Sequence, residues 1–239
     1  MTDTQENFNL SPIGVIHTPY GQKFAVPRQA GLIANAVSTI EFFSPYNDPQ
    51  AFEGLLGFSH LHLIFIFDKI PKDSTFRAQV RPPRLGGNQK IGVFATRSPF
   101  RPTRLGLSLV KIRDLKVKNG GVLLEVLGAD LVDGTPILDI KPYIPFVDSI
   151  PDARGGYASE RPPEYQVEFS EKAKDDLKKL TAEQIDCVRE ILAQDPRPAY
   201  KDSHDSREYV ARLYDYDIRF TVNEGLVQVI AASFSGERH

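Results

Sequence analysis

A mainly β first region followed by a small α+β region is the fold class this sequence predicts. Three observations carry that reading. Up to about Tyr143 the chain is a series of short runs rich in Val, Ile and Phe, broken by Gly, Pro and Asn. Between these runs no stretch has the length and 3.6-residue period of an amphipathic helix, which argues against βαβ units and for a barrel or sandwich. After Pro151 the pattern turns to helical stripes and then back to strands.

In order, the predicted strands of the first region are 13–17, 38–43, 60–67, 91–95, 107–112, 122–127 and 137–140, with Asn119-Gly120-Gly121 as one of the turns. Residues 151–163 (PDARGGYASERPP) are poor in apolar side chains and rich in Pro and Gly, the composition of a linker. A strand over 165–169 comes next. Ser170 then N-caps a charged helix with Ala173, Leu177 and Leu180 on one face. Thr181 and Gln184 form a capping box opening a second helix, striped by Ile185, Val188, Ile191 and Leu192. Strands 209–214, 218–222 and 226–231 close the chain, the last two joined at Asn223-Glu224-Gly225. The expected division is a β-barrel domain over 8–150, the linker, and an α+β domain over 164–239 that folds as its own unit.

The chain has 239 residues, room for one large domain or a medium one with a smaller partner. Hydrophobic residues at 41% and charged residues at 25% exclude disorder throughout. The single cysteine, Cys187, excludes an internal disulfide and any multi-cysteine zinc site, and fits a reducing compartment. On its helix it reads as a small packing residue. The opening residues are polar and acidic, so no signal peptide is expected, and the longest apolar run, 63–67, is far below the roughly 20 residues that span a bilayer. A soluble, cytoplasmic protein without membrane contact is expected.

The net charge of −2 conceals an asymmetry. Residues 74–113 contain no Asp or Glu but carry Arg77, Arg81, Arg84, Lys90, Arg97, Arg101, Arg104, Lys111 and Arg113. Such a stretch asks for an anionic partner; the alternative is a set of arginines facing acidic surface elsewhere in the fold or in a second subunit.

Several chemistries are excluded. There is no G-x-x-x-x-G-K-[ST], no G-x-G-x-x-G and no G-x-S-x-G in the chain. His60 and His62 share one face of a strand, but no third ligand is evident, so they read as ordinary strand histidines and no metal is expected. What remains is loop chemistry. Val26-Pro27-Arg28-Gln29, the segment from Arg81 to Asn88, the segment from Ala95 to Pro102, and the turn from Asp130 to Pro136 together supply cations, amides and carboxylates on one rigid scaffold.

The motifs FAVPRQ, RPPRLGGN, VFATRSPFRP, LVDGTP and LDIKPY, in this order and spacing, closely resemble the TsaA-like family over about residues 10–148. DPRPAY at 195–200 resembles a motif of the bacterial C-terminal extension. The resemblance implies a tRNA methyltransferase on a single-sheeted β-barrel that binds S-adenosylmethionine. Its implied product is a methyl group on the exocyclic N6 of threonylcarbamoyl-adenosine, immediately 3′ of the anticodon. Implied cofactor residues are Pro27, Arg28, Gln29, Asp68, Lys69, Arg97, Leu107, Leu131, Val132, Asp133 and Gly134. Arg28 or Arg97 would pair with the cofactor carboxylate, and Asp68 or Asp133 would accept from its ribose or ammonium group. Arg81, Arg84, Arg101 and Arg104 would meet tRNA phosphates, helped by Arg197 and Tyr200 of the second domain. Tyr143, Asp133 and Asp139 are candidates for the general base that the amide-like nitrogen needs. The resemblance also implies a homodimer. One departure stands out: Thr103-Arg104-Leu105-Gly106 occupies the place of Asn-Pro-Ile-Gly in many relatives. Because every cofactor motif precedes residue 152, a chain ending there is expected to keep cofactor binding. The other reading of the same loops is a non-catalytic β-barrel RNA-binding or adaptor protein.

Overall fold

The structure is a computed structural model; it describes residues 8–71, 75–85, 88–118, 120–197 and 207–236, with the backbone only at Arg84. The strands β1 (Gly14–His17), β2 (Val37–Phe42), β3 (His60–Ile66), β6 (Leu105–Lys118), β7 (Gly121–Leu127) and β8 (Thr135–Pro142) close into one barrel in the order β1-β2-β7-β6-β3-β8. All of these pairings are antiparallel. Alternation along each strand sends one face inward: Leu61, Leu63 and Phe65 on β3, Val122, Leu124 and Val126 on β7. A barrel this small is filled by its own side chains, and here they meet Ile16, Ile40, Phe42 and Ile137 in a single core. Gly106 is required there. A Cβ at that position would lie 2.2 Å from the Phe65 ring, which fills the space that glycine leaves.

A two-stranded ribbon of β4 (Gln79–Val80) and β5 (Ile91–Gly92) projects from the long β3–β6 connection. The strand expected over 91–95 stops at Gly92, because Val93 turns inward and 93–95 close a 3-10 turn capped by the Thr96 hydroxyl on the Val93 carbonyl at 2.7 Å. Strand β6, in contrast, runs six residues past the expected end at Ile112, pairing with β7 as far as Lys118. After β8, one turn of helix, α1 (Pro145–Asp148), leads into the irregular stretch that precedes the second sheet.

That second sheet has the order β10-β11-β12-β9, from β9 (Gln166–Phe169), β10 (Tyr209–Leu213), β11 (Tyr216–Asn223) and β12 (Leu226–Phe234), with β9 parallel to β12. Two helices accompany it, α2 (Glu171–Asp176) and α3 (Ala182–Ala193). Ser170 caps α2 and the Thr181–Gln184 capping box opens α3, both as the sequence predicts. Helix α2 is shorter than its apolar stripe suggests. It ends at Asp176 with Leu177 as its C-cap, and Leu180 lies in the following turn, before the extended backbone of the Thr181 cap. The turn Glu224-Gly225 has positive φ at both residues, the I′ geometry that matches strand twist.

The second region, expected to fold as its own unit, shares its core with a loop of the first. Tyr20, Ala25, Ile33 and Ala36, from the loop between β1 and β2, are buried in the same cluster as Leu192, Leu213, Phe220 and Val229. The loop is also bonded there. Tyr20 bridges to Leu213, the Tyr214 amide donates to the Pro19 carbonyl at 3.2 Å, and Asn35 donates through its backbone and side-chain nitrogens to Glu190. Tyr214 and Asp215 hold left-handed φ values of 50° and 63°, strain that a bulky residue tolerates only where its surroundings fix it. No helix among the described residues is long and apolar enough to cross a membrane.

Candidate functional site

One rim of the barrel collects most of the loops singled out in the sequence. Thr18, just past β1, accepts nothing from the opposite loop but donates twice to it: its amide to Asp133 Oδ1 at 2.9 Å and its hydroxyl to the Leu131 carbonyl at 3.0 Å. The Asp133 amide returns a bond to the Tyr20 carbonyl at 3.0 Å. The 131–134 turn is therefore clamped to the start of the β1–β2 loop, with Leu131 buried and Asp133 exposed. Farther along that loop, Gln29 Oε1 accepts from Arg97 Nη1 at 2.7 Å, and Lys23 Nζ reaches the Lys69 carbonyl. The loop between β1 and β2, which carries Pro27, Arg28 and Gln29, is thus bonded separately to Lys69, to Arg97 and to the 131–134 turn.

Asp130 belongs to this cluster; the sequence reading named it as the start of the 130–136 turn and gave it no role of its own. Its Oδ1 accepts from the buried Ser108 hydroxyl at 2.5 Å. Burial pushes its carboxyl above the ordinary carboxylate value, against the opposing pull of Ser108, its own amide, the Arg97 charge and the Ala30 amide. The signal was present as an acid directly preceding LVDGTP, opposite an inward Ser on β6. A carboxyl raised in the folded state holds its proton where the unfolded chain has released it, so its contribution to stability is complete in acid and falls as pH rises through the raised value. Asp130→Asn, which keeps an acceptor for Ser108, is expected to gain on the parent as pH rises from acid to neutral. Urea midpoints for both proteins across that range test this; parallel profiles would refute it.

Three sequence candidates are placed elsewhere. Tyr143 follows the far end of β8, roughly 25 Å along an eight-residue strand from the 131–134 turn, and packs between His60 and His62. Within one chain it cannot serve this rim as a base. Asp139 and Leu107 flank Ile64 on the outer wall, Asp139 bonded to the Ile140 amide and beside Lys141, Leu107 58% exposed to solvent. Asp68 stands at the rim paired with Lys69 at 3.0 Å. The histidines have their own partners, His60 with Ser59 and His62 with Asp148.

The basic stretch resolves into different roles. Arg77 lies 4.4 Å over the Phe100 ring, Arg101 Nη1 donates to the Thr96 carbonyl at 2.9 Å, and Arg113 pairs with Glu183 at 2.9 Å. Arg81 is exposed, and the Arg84 side chain lies outside the described residues. Arg104, which donates to the Pro71 carbonyl, has φ 53°, a conformation that a proline at this position could not adopt.

Arg197, expected to help hold tRNA, is 4% exposed, forked onto Asp195 through Nε at 2.7 Å and Nη2 at 2.9 Å, and faces the Tyr209 ring. Tyr200 lies outside the described residues. The Asp195 carbonyl instead accepts from Arg28 at 3.4 Å, and a groove lined by Lys23, Pro27, Arg28, Pro83, Asp195 and Arg197 runs along this junction.

The donor set fits S-adenosylmethionine. Arg28 and Arg97 are exposed guanidiniums for a carboxylate, Asp133 is an exposed acceptor for ammonium or ribose hydroxyls, and Pro27 and Leu131 are buried apolar surface beside them. Comparison with known proteins agrees. Residues 15–149 match the model of the tRNA-methyltransferase O N-terminal domain and residues 162–234 that of the C-terminal domain. The chain is 44% identical over 230 residues to the Escherichia coli K12 tRNA (adenine(37)-N6)-methyltransferase, covering 94% of this chain and 97% of that one. It is 42% identical over 216 residues to a Pseudomonas aeruginosa protein described as a putative S-adenosylmethionine-dependent methyltransferase, covering 89% and 91%. A crystal structure of TrmO from P. aeruginosa superposes with a TM-score of 0.77 at 36% identity, covering 96% of this chain and 99% of that one.

Proposed function

We propose a function from the premise that this chain belongs to the tRNA-methyltransferase O family, whose two domain models it matches in order. It is an S-adenosylmethionine-dependent tRNA methyltransferase acting on N6 of the adenine at position 37, next to the anticodon. The finer reading is that its substrate base already carries the threonylcarbamoyl group. The observation that carries the proposal is the rim itself, where Arg97, Asp130 and the 131–134 turn are each bonded to the loop between β1 and β2 that carries Pro27, Arg28 and Gln29.

S-adenosylmethionine supplies an activated methyl group when bound. The chain's residues position and shield the reacting atoms. Arg28 and Arg97 hold the cofactor carboxylate, Asp133 takes its ammonium or ribose hydroxyls, and Pro27 and Leu131 exclude water from one side. The N6 proton must leave during transfer; Asp133 is an exposed carboxylate on the rim not paired with a lysine, as Asp68 is, and we assign it that role. Arg81 and its neighbours balance the tRNA phosphates and the carboxylate of the threonylcarbamoyl group. We read residues 8–150 as the cofactor side of the enzyme and 164–239 as its brace and substrate side. The exposed Leu107 and Leu109 offer an apolar face for a homodimer, and the cytoplasm is where the substrate resides.

Mass spectrometry of nucleosides from tRNA incubated with the protein and labelled cofactor tests the reaction. Label in methylated threonylcarbamoyl-adenosine is expected; RNA binding without any labelled nucleoside would favour an adaptor. Arg97→Ala is expected to weaken cofactor binding by about 1–3 kcal/mol with little change in urea midpoint. Calorimetry showing parental affinity would remove Arg97 from the site.

A further inference from the structure

The β4–β5 ribbon displays aromatic surface that the cofactor rim does not use. Phe76 precedes β4 and Phe94 follows β5, and the two rings stack across the ribbon with centroids 6.2 Å apart and planes inclined by 30°. Neither is covered: Phe94 is 72% exposed and Phe76 53%. Both sit inside the acid-free stretch 74–113, with Arg77 held flat on the Phe100 ring next door. Phe94 is only three residues from Arg97, at most about 10 Å of chain from the rim.

Exposed stacked phenylalanines carry a cost in water, and an uncharged apolar partner would explain them. The surroundings argue for a different partner. A stretch of chain without carboxylates, interleaving aromatic rings and guanidiniums, matches a polyanion that also presents flat π faces. Unpaired nucleobases on a phosphate backbone have that chemistry, whereas paired bases hide their faces within the stack.

We infer that Phe76 and Phe94 form a stacking platform for an unpaired base of the RNA substrate, beside the base that enters the rim. The inference rests on the tRNA methyltransferase reading and adds a residue-level contact to it. The platform orients the loop by its π face while the neighbouring arginines take the phosphates. Its contribution is accordingly insensitive to salt, unlike theirs.

The chain contains no tryptophan, so Phe94→Trp places a single reporter on the platform. Its emission is expected to be quenched by an anticodon stem-loop RNA and unchanged by a fully paired RNA of equal length. Phe76→Ala/Phe94→Ala is expected to lower kcat/KM for tRNA about tenfold to a hundredfold, with unchanged cofactor affinity, unchanged slope of log affinity against log salt, and the parental mass in sedimentation. Equal quenching by both RNAs, or parental kcat/KM in the double variant, would overturn the platform while leaving the methyltransferase standing. A changed mass in sedimentation would overturn it too, by assigning the face to a second copy of the chain. Absence of methyl transfer by the parent protein would instead overturn the functional reading beneath it.

Discussion

A chain ending at residue 152 is expected to lose S-adenosylmethionine binding together with methyl transfer, although every residue of the proposed cofactor site is still present. The reason lies in the second core. Tyr20, Ala25, Ile33 and Ala36 are at most 1% exposed, and what covers them is α3 and the second sheet. Truncation returns them to water, at roughly 1.5–3 kcal/mol for a side chain such as Ile33 alone. It also removes Leu213, Tyr214, Glu190 and Asp195, which anchor residues 19–35 by hydrogen bonds. The loop that presents Pro27, Arg28 and Gln29 then has no wall to lie on, while the barrel retains its separate core around Leu63 and Leu124. The measurement is calorimetry with the cofactor alongside hydrogen exchange over 18–36. Barrel strands still protected, loop amides unprotected and at least a tenfold loss of affinity are expected. Full affinity in the truncated chain would show that the loop holds its shape unaided.

The sequence reading expected the opposite, and the difference shows what a one-dimensional pattern carries. Strand alternation on β3 and β7, the Ser170 cap and the Thr181–Gln184 box are local signals, since period and capping chemistry are written within a few residues. The closed order of the barrel follows from a resemblance to a family rather than from such signals. Tyr20 and Ile33 look no different from barrel residues in sequence; only their partners, about 190 residues later at Leu213 and Phe220, assign them to the other core. The outer half of β6 was hard to read as strand because the register slips between Ile112 and Asp114, which breaks the alternation before Leu115 and Val117 resume it. In the candidate site, charged residues in motif loops were legible by type. Their placement was not: Tyr143 shares a motif with Asp139 yet sits at the far end of the barrel, and Asp130 adjoins Leu131 yet is recognised only through Ser108 on a neighbouring strand.

Arg197→Met is expected to cost about 3–5 kcal/mol of stability and to weaken cofactor binding. Its guanidinium is almost wholly enclosed and forked onto Asp195, which holds a left-handed φ of 45° at the end of α3. Removing the cation leaves a carboxylate without its partner in a partly buried turn, and that uncompensated charge is the main penalty. Burial costs the pair something as well, so the pair need not be more stabilising than an apolar replacement. Asp195→Asn/Arg197→Met is therefore expected to recover part of the loss, which a purely steric role for Arg197 would not permit. Lysine is no substitute, because a single ammonium cannot reproduce the two bonds from Nε and Nη2. The functional effect follows from position. The Asp195 carbonyl receives Arg28, so a turn that loosens releases the guanidinium proposed to hold the cofactor carboxylate. Urea midpoints for the single and double variants, with calorimetry at temperatures where each remains folded, separate the two effects. A double variant no more stable than Arg197→Met, or parental cofactor affinity in both, would remove Arg197 from the chain of contacts between the second domain and the rim.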